Sequence, residues 1–504
     1  MPQRYLKMIL NSPVYDVAQE TPLDLAPRLS TKLKNNILIK REDLQAVFSF
    51  KIRGAYNKLV QLTPAEKARG VIGASAGNHA QGVALAAAKL KVSATIVMPE
   101  TTPKIKVDGV KKFNADVILF GDDFSSAFDR AQKISAQKSL AFIPPFDDPF
   151  VIAGQGTIAL ELLRQHTEDI HAIFVPIGGG GLISGIGSYV KMVRPEIKII
   201  GVESGESASM YASLKKGRRV KLRNVGIFAD GVAVAQVGKE PFNLARKVID
   251  EVVLADVDQI CAAIKDLFED TRAIAEPSGA LSIAGMKNYI KTNKIVGKNL
   301  IAINSGANVS FDRLRHISER ANYSEALEAL FAVTIPEQKG SFLTFCKVLG
   351  RRNITEFNYR YSSSKEAHIF VGVALTKGSN ERAEISNLFS DQGYKVEDLT
   401  DNDMAKLHIR HMVGGHRNNA ETERIYRFEF PERPGALLGF LDKMGQKWNI
   451  SLFHYRNHGS AFGRVLCGFQ IPKNAIEAFD DSLRRQDYKY SEETLNEAYK
   501  KFLD

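Results

Sequence analysis

Near the N-terminus, Ser49-Phe50-Lys51-Ile52-Arg53-Gly54-Ala55 sets a lysine between two bulky apolar side chains, directly after Val47-Phe48. Such surroundings suit a neutral amine better than a hydrated ammonium. Burial lowers a lysine's pKa, and a neutral amine attacks carbonyls to form an imine. The competing reading is a lysine whose stem lies on apolar surface while its head reaches water. A second stretch adds an anion site. Gly178-Gly179-Gly180-Gly181 follows the apolar run Ala172-Ile173-Phe174-Val175 and precedes a helical pattern through Val193. Glycines placed there let backbone N–H groups converge on an anion at the helix N-terminus. A merely flexible turn has little use for so many between two ordered elements. No Gly-Lys-Ser/Thr follows, and Gly-x-Gly-x-x-Gly is not satisfied, although Glu203 stands where a dinucleotide enzyme keeps its ribose-binding acid. An apolar lysine together with a phosphate cradle points to pyridoxal 5'-phosphate. A nucleotide-dependent oxidoreductase is the weaker alternative.

The elements that must position these groups alternate along the chain from about residue 37 to 310. Val71–Ala74 reads as a strand, Ser75-Ala76-Gly77-Asn78 as a turn, and the alanine-rich run after Gly82 as a helix. Ala94–Met98, Val117–Phe120, Ile199–Val202 and Leu300–Ile303 are further strands, with a helix over Lys104–Lys112. Strands alternating with helices predict an α/β, doubly wound, mostly parallel architecture with ligands at the carboxyl ends of strands. The small-residue turns after three of these strands are therefore expected to face one crevice.

The chain has 504 residues, too many for one ordinary core, so two or three domains are expected. With 44% hydrophobic and 25% charged residues it has the composition of a soluble globular protein. The net charge of +11 is not gathered into a basic tract with interleaved aromatics, so no nucleic-acid partner is read from it. Cys261, Cys346 and Cys467 are far apart and odd in number, which suits a reducing compartment. No secretory h-region or membrane-length apolar stretch is present, and the expected location is cytoplasmic.

After Phe311 the composition changes. Arg313 to Leu330 is charged and helical in pattern, and residues 313–328 are read as a connecting helix after a catalytic domain at 1–312. Beyond it the chain repeats. Ile335-Pro336-Glu337-Gln338-Lys339-Gly340-Ser341-Phe342-Leu343 returns as Phe430-Pro431-Glu432-Arg433-Pro434-Gly435-Ala436-Leu437-Leu438, an offset of 431 − 336 = 95. Asn353-Ile354-Thr355-Glu356-Phe357-Asn358-Tyr359-Arg360 returns as Asn449-Ile450-Ser451-Leu452-Phe453-His454-Tyr455-Arg456, at 449 − 353 = 96. Two small α+β modules follow, at 329–402 and 424–497.

Together with Ser75-Ala76-Gly77-Asn78-His79-Ala80-Gln81-Gly82, Gly178–Leu182 and Ser305-Gly306-Ala307-Asn308, the Lys51 motif resembles the threonine deaminase family of fold type II pyridoxal-phosphate enzymes, which implies a catalytic domain of two α/β subdomains. The repeated tail resembles that family's paired ACT-like regulatory modules, so the resemblance covers nearly the whole chain. It implies that Lys51 holds the cofactor and removes the substrate's Cα proton. It also implies that Asn78 meets the cofactor's ring hydroxyl, that Gly178, Gly179, Gly180, Gly181 and Leu182 cradle its phosphate, that Ser305 faces its ring nitrogen, and that Phe50 flanks the ring. Ser75, Ala76, Gly77, Asn78 and His79 form the loop expected to receive the substrate carboxylate. The activity implied is β-elimination on L-threonine, more weakly on L-serine, giving 2-oxobutanoate and ammonia as the first step toward isoleucine. Isoleucine as inhibitor, valine as its antagonist and a homotetramer are implied as well. Ala76 replaces the second serine of the related serine racemases, which argues against racemisation. Ser209 replaces an aspartate of their cation site near Glu203, and no metal is expected there. His408, His411 and His416 have loose ligand-like spacing without cysteine or carboxylate company and read as surface or packing residues. For the tail, the Pro-x-x-x-Gly loops at 336–340 and 431–435, with Tyr359-Arg360 and Tyr455-Arg456, are read either as amino-acid-sensing groups or as plain strand residues. A serine dehydratase or racemase, or a non-catalytic amino-acid sensor, are the remaining alternatives. The intact lysine and glycine loop disfavour the sensor.

Overall fold

Short runs rich in β-branched and aliphatic residues become the strands that carry the candidate groups. The computed structural model describes residues 2–324, 327–338, 340–361, 365–376, 378–402, 405, 423–431, 436–444, 448–456, 462–485 and 488–496. The chain forms two units, Met1–Ser324 and Glu325–Asp504. In the first, the strands are β1 (Leu23–Leu25), β2 (Asn36–Arg41), β3 (Val71–Ala74), β4 (Ala94–Met98), β5 (Asp116–Leu119), β6 (Ala141–Phe142), β7 (Ala172–Pro176), β8 (Lys198–Ser204), β9 (Glu251–Ala255) and β10 (Asn299–Asn304). They make two sheets, as the two α/β subdomains implied by the family resemblance require. The larger has the order β1-β2-β10-β7-β8-β9 and is parallel except for β1 against β2. The smaller, β5-β4-β3-β6, is wholly parallel. All of β7 is buried, as parallel strands covered by helices on both faces require.

Two helices fix the lysine motif. The helix Lys51–Val60 packs against Asn78–Leu90 and Pro149–Gln165. Its crossing with Pro149–Gln165 is backbone-close: a Cβ on Gly54 would stand 2.7 Å from the Val151 carbonyl oxygen, and one on Gly154 2.7 Å from Gly54 Cα. The glycine of the Lys51 motif is thus explained by packing. Two residues after Lys51, the buried Arg53 guanidinium donates to Glu42 (2.8 Å) and to Glu161 (3.0 Å). Lys40 reaches the same Glu161 carboxylate at 2.7 Å.

The helix expected to connect the parts spans Arg313–Ser324, and a strand has begun by Glu328. Ile317 and Ala321 are buried with Ile264 and Leu267 in the core of the first unit, and Arg320 pairs with Asp258 at 2.5 Å. The helix therefore belongs to that unit.

In the second unit β11 (Glu328–Pro336), β12 (Ile354–Tyr361), β13 (Glu366–Ala374) and β14 (Lys395–Asp398) repeat as β15 (Glu423–Pro431), β16 (Asn449–Arg456), β17 (Phe462–Gln470) and β18 (Lys489–Glu492). All eight form one antiparallel sheet, β14-β11-β13-β12-β16-β17-β15-β18, the second copy mirroring the first. The copies join through β12 and β16, where Asn358 pairs with His454, its own counterpart in the repeat. Phe342, from the helix Ser341–Leu349, packs on Phe357 and Tyr359 of its own copy and on Phe453 of the other, with centroids 4.9–5.2 Å apart. One core serves both copies. His408, His411, His416, the loop 432–435 and the side chains of Arg360 and Arg456 lie outside what is described.

Candidate active site

Three loops at carboxyl ends of strands, after β3, β7 and β10, supply the site. Ser49 bridges Gly306, and the Phe50 N–H donates to the Ser305 carbonyl at 3.3 Å, so the lysine motif is stitched to the end of β10. Asn308 extends the seam: its Nδ2 donates to the Val47 carbonyl (2.8 Å) and to Asn78 Oδ1 (2.7 Å). The resulting cleft is lined by Phe50, Lys51, Asn78, Gly178–Leu182 and Ser305, which sequence reasoning named, and by Phe146, Gln155, Gly231, Val232, Glu276 and Ser278, which it did not.

Lys51 is the first residue of its helix, and its Nζ donates to the Pro145 carbonyl at 3.1 Å and stands 5.2 Å from the Phe50 ring centroid. Burial lowers its pKa to about 8, partly offset by the Glu276 carboxylate. A fair fraction of the amine is thus neutral near physiological pH, as a nucleophile requires. The glycine loop admits no side chains where it matters. A Cβ on Gly179 would meet Phe146 at 2.1 Å, and Gly180 sits at φ +92, where L residues are strained. Gly180 caps the helix Gly181–Val193 without a side-chain bond, so that helix's first N–H groups are free of a side-chain cap. Ser305 is buried and its hydroxyl donates to the Ser278 carbonyl at 3.2 Å, while the buried Ser278 hydroxyl has no partner.

Of the β3 loop, Asn78 alone reaches the lining. Its Nδ2 donates to Glu276 Oε1 at 2.6 Å. Ser75, Ala76 and Gly77 lie half-buried beside it, with the Gly77 N–H donating to Ser75 Oγ at 3.2 Å. His79 is turned away: its Nε2 lies 2.9 Å from the Ile143 carbonyl, and burial lowers its pKa to about 3, so the ring is neutral. Glu203 accepts from the N–H groups of Met210 (2.8 Å) and Tyr211 (2.7 Å) at the start of the helix Ser209–Lys216, which gives it a capping task. Among the described residues no group of three or more His, Cys, Asp or Glu side chains is arranged to hold a metal ion.

These residues fit pyridoxal phosphate. The cleft offers an activated amine, a backbone anion cradle that a single Cβ would fill, and an unpartnered buried hydroxyl. The missed Glu276 and Ser278 had a weak signal, since Glu276-Pro277-Ser278 is a helix start with proline at its first position.

Residues 14–306 match the family described as pyridoxal-phosphate dependent enzymes, and residues 319–409 and 414–503 each match the C-terminal regulatory domain of threonine dehydratase. The biosynthetic L-threonine dehydratase of Burkholderia multivorans is 54% identical over 502 residues, covering 99% of both chains. This chain belongs to the threonine dehydratase family. The biosynthetic L-threonine dehydratase of Escherichia coli is 53% identical, over 99% of this chain and 97% of that one. Among solved structures, the processed form of threonine deaminase isoform 2 from Solanum lycopersicum is 53% identical with a TM-score of 0.63, covering 64% of this chain and 93% of that one. Serine racemase from Dictyostelium discoideum is 32% identical with a TM-score of 0.57, over 61% and 99%. The family's pyridoxal-phosphate fold and its two regulatory domains are thus both present in this threonine dehydratase chain.

Proposed function

We propose that the chain is a pyridoxal-phosphate-dependent threonine ammonia-lyase, converting L-threonine to 2-oxobutanoate and ammonia and acting more weakly on L-serine. The observation that carries the reading is the meeting of the Lys51 amine, the Gly178–Gly181 loop and Ser305 in one cleft. Similarity to biosynthetic threonine dehydratases over the whole length supports the substrate. When bound, the cofactor supplies electron withdrawal from the substrate's Cα. The Lys51 amine would hold the cofactor and, as the base of the cleft, would take the Cα proton. The β-hydroxyl leaves with a proton as water, and hydrolysis of the remaining nitrogen compound gives 2-oxobutanoate and ammonia. Gly178–Leu182 hold the phosphate through backbone N–H groups, Phe50 covers the ring, and Asn78 meets the ring oxygen. Ser305 would offer the ring nitrogen a neutral hydroxyl, which suits elimination, since the leaving group departs as charge develops. The Ser75–His79 loop receives the substrate carboxylate.

For the second unit the reading is regulation: isoleucine inhibits, valine opposes it, and the chain works as a cytoplasmic homotetramer with 1–312 catalytic. Two regulatory-domain matches support this, as does the Tyr359 hydroxyl, which donates to Glu337 of the 336–340 loop at 2.7 Å. Among the described residues no helix is long and apolar enough to cross a membrane. Borohydride reduction of the cofactor-loaded protein and peptide mapping test the anchor: the label is expected on Lys51, and a label on any other lysine sinks the assignment.

A further inference from the structure

Glu276 is buried at the cleft with the Asn78 amide as its side-chain hydrogen-bond partner. It immediately precedes the helix Pro277–Asn293, but its side chain caps nothing. Only 4% of it is exposed, and Asn78 Nδ2 donates to its Oε1 at 2.6 Å. The carboxyl is held in place by close backbone: a Cβ on Gly306 would stand 2.7 Å from that oxygen. A buried carboxyl costs free energy unless something repays it, and structural carboxylates are ordinarily paired or capped. This one faces the cleft instead.

The cleft has a proton to place. An amino acid arrives as an ammonium, which has no lone pair with which to displace Lys51, so one proton must first be left behind. Among the lining residues, Lys51 and Glu276 are the two with ionisable side chains, and the Lys51 nitrogen is occupied holding the cofactor. We propose that Glu276 is the proton acceptor of this cleft: its carboxylate takes a proton from the incoming α-ammonium and returns it to the nitrogen of the departing product. An N–H bond breaks and an O–H bond forms on entry. The reverse transfer on exit protonates the product's nitrogen and restores the carboxylate. This rests on the reading of Lys51 as the cofactor's anchor.

The groups facing Glu276 come from four elements. Burial raises its pKa to about 7, as does Asp230 of the 230–232 turn, while Asn78, Lys106 and Lys51 lower it. The acceptor form is therefore present above about 7 and lost as pH falls through that value, giving kcat/KM an acid limb.

The test compares wild type, Glu276→Gln and Glu276→Asp with cofactor bound. Glutamine still accepts from Asn78 but cannot take a proton. Glu276→Gln is expected to lower kcat/KM for L-threonine at pH 8 by about 10²-fold and to erase the acid limb. Hydroxylamine is already neutral and needs no acceptor. Its removal of the cofactor, followed by absorbance, is expected to run at about the wild-type rate in the variant, a split that mere loosening of the site would not produce. An acid limb unmoved in Glu276→Gln, or equal slowing toward hydroxylamine, overturns the proposal. Should the glutamine variant not fold, Glu276→Asp is expected to keep a displaced limb, and an unmoved one overturns it. Borohydride mapping of each variant checks the anchor separately: label on Lys51 leaves the limb as the deciding result, and label elsewhere removes the basis of the proposal.

Discussion

At the scale of residues, the cleft works by keeping two ionisable groups in unfavourable surroundings. Burial holds Lys51 down at about 8 and Glu276 up at about 7, so each is ready to exchange a proton near neutrality. That arrangement costs stability, and the sign can be worked out. The fold favours the neutral Glu276 carboxyl, so the penalty is absent below the ordinary 4.5, builds between 4.5 and about 7, and is complete above that. Glu276→Gln is expected to be more stable than wild type by about 3 kcal/mol at pH 8, with the gain fading toward pH 4.5. Urea unfolding at several pH values checks this, and equal stability at pH 8 would count against it. Lys51 was legible because its neighbours in sequence are also its apolar surroundings in space. Glu276 was not, because its meaning depends on Asn78 and Lys51, which lie some two hundred residues away.

Elements place these residues by close approach. Helix Lys51–Val60 is held against Pro149–Gln165 by the Gly54–Gly154 crossing and by the buried cluster of Arg53, Glu42, Glu161 and Lys40. Removing one member leaves charges buried without their partner, which costs far more than an exposed pair ever contributes. Arg53→Met is expected to lose about 3–5 kcal/mol in denaturant unfolding. A loss below about 1 kcal/mol, the size of an exposed ion pair, would contradict the reading of this cluster as essential to the helix's seat. The alternation of strands and helices was readable from apolar periodicity. That the helix expected over 313–328 ends at Ser324 was not, because its end depends on long-range packing such as Ile317 against Leu267.

At the scale of the whole molecule, a catalytic fold and a duplicated module share one chain. The duplication was plain in sequence, since Pro336 and Pro431 open matching loops before matching helices. Its assembly was hidden: the copies meet edge to edge through β12 and β16 about Asn358 and His454, and Phe342 crosses from one copy to Phe453 of the other. A shared core of this kind lets a ligand bound to one copy bias the packing of both, which is the differential contact that allostery requires. The most direct measurement is release of 2-oxobutanoate from L-threonine by the full chain with added pyridoxal phosphate, alone, with isoleucine, and with isoleucine plus valine. Release that isoleucine suppresses and valine restores is the expected result. No release from L-threonine, with cofactor bound to Lys51, would contradict the assignment.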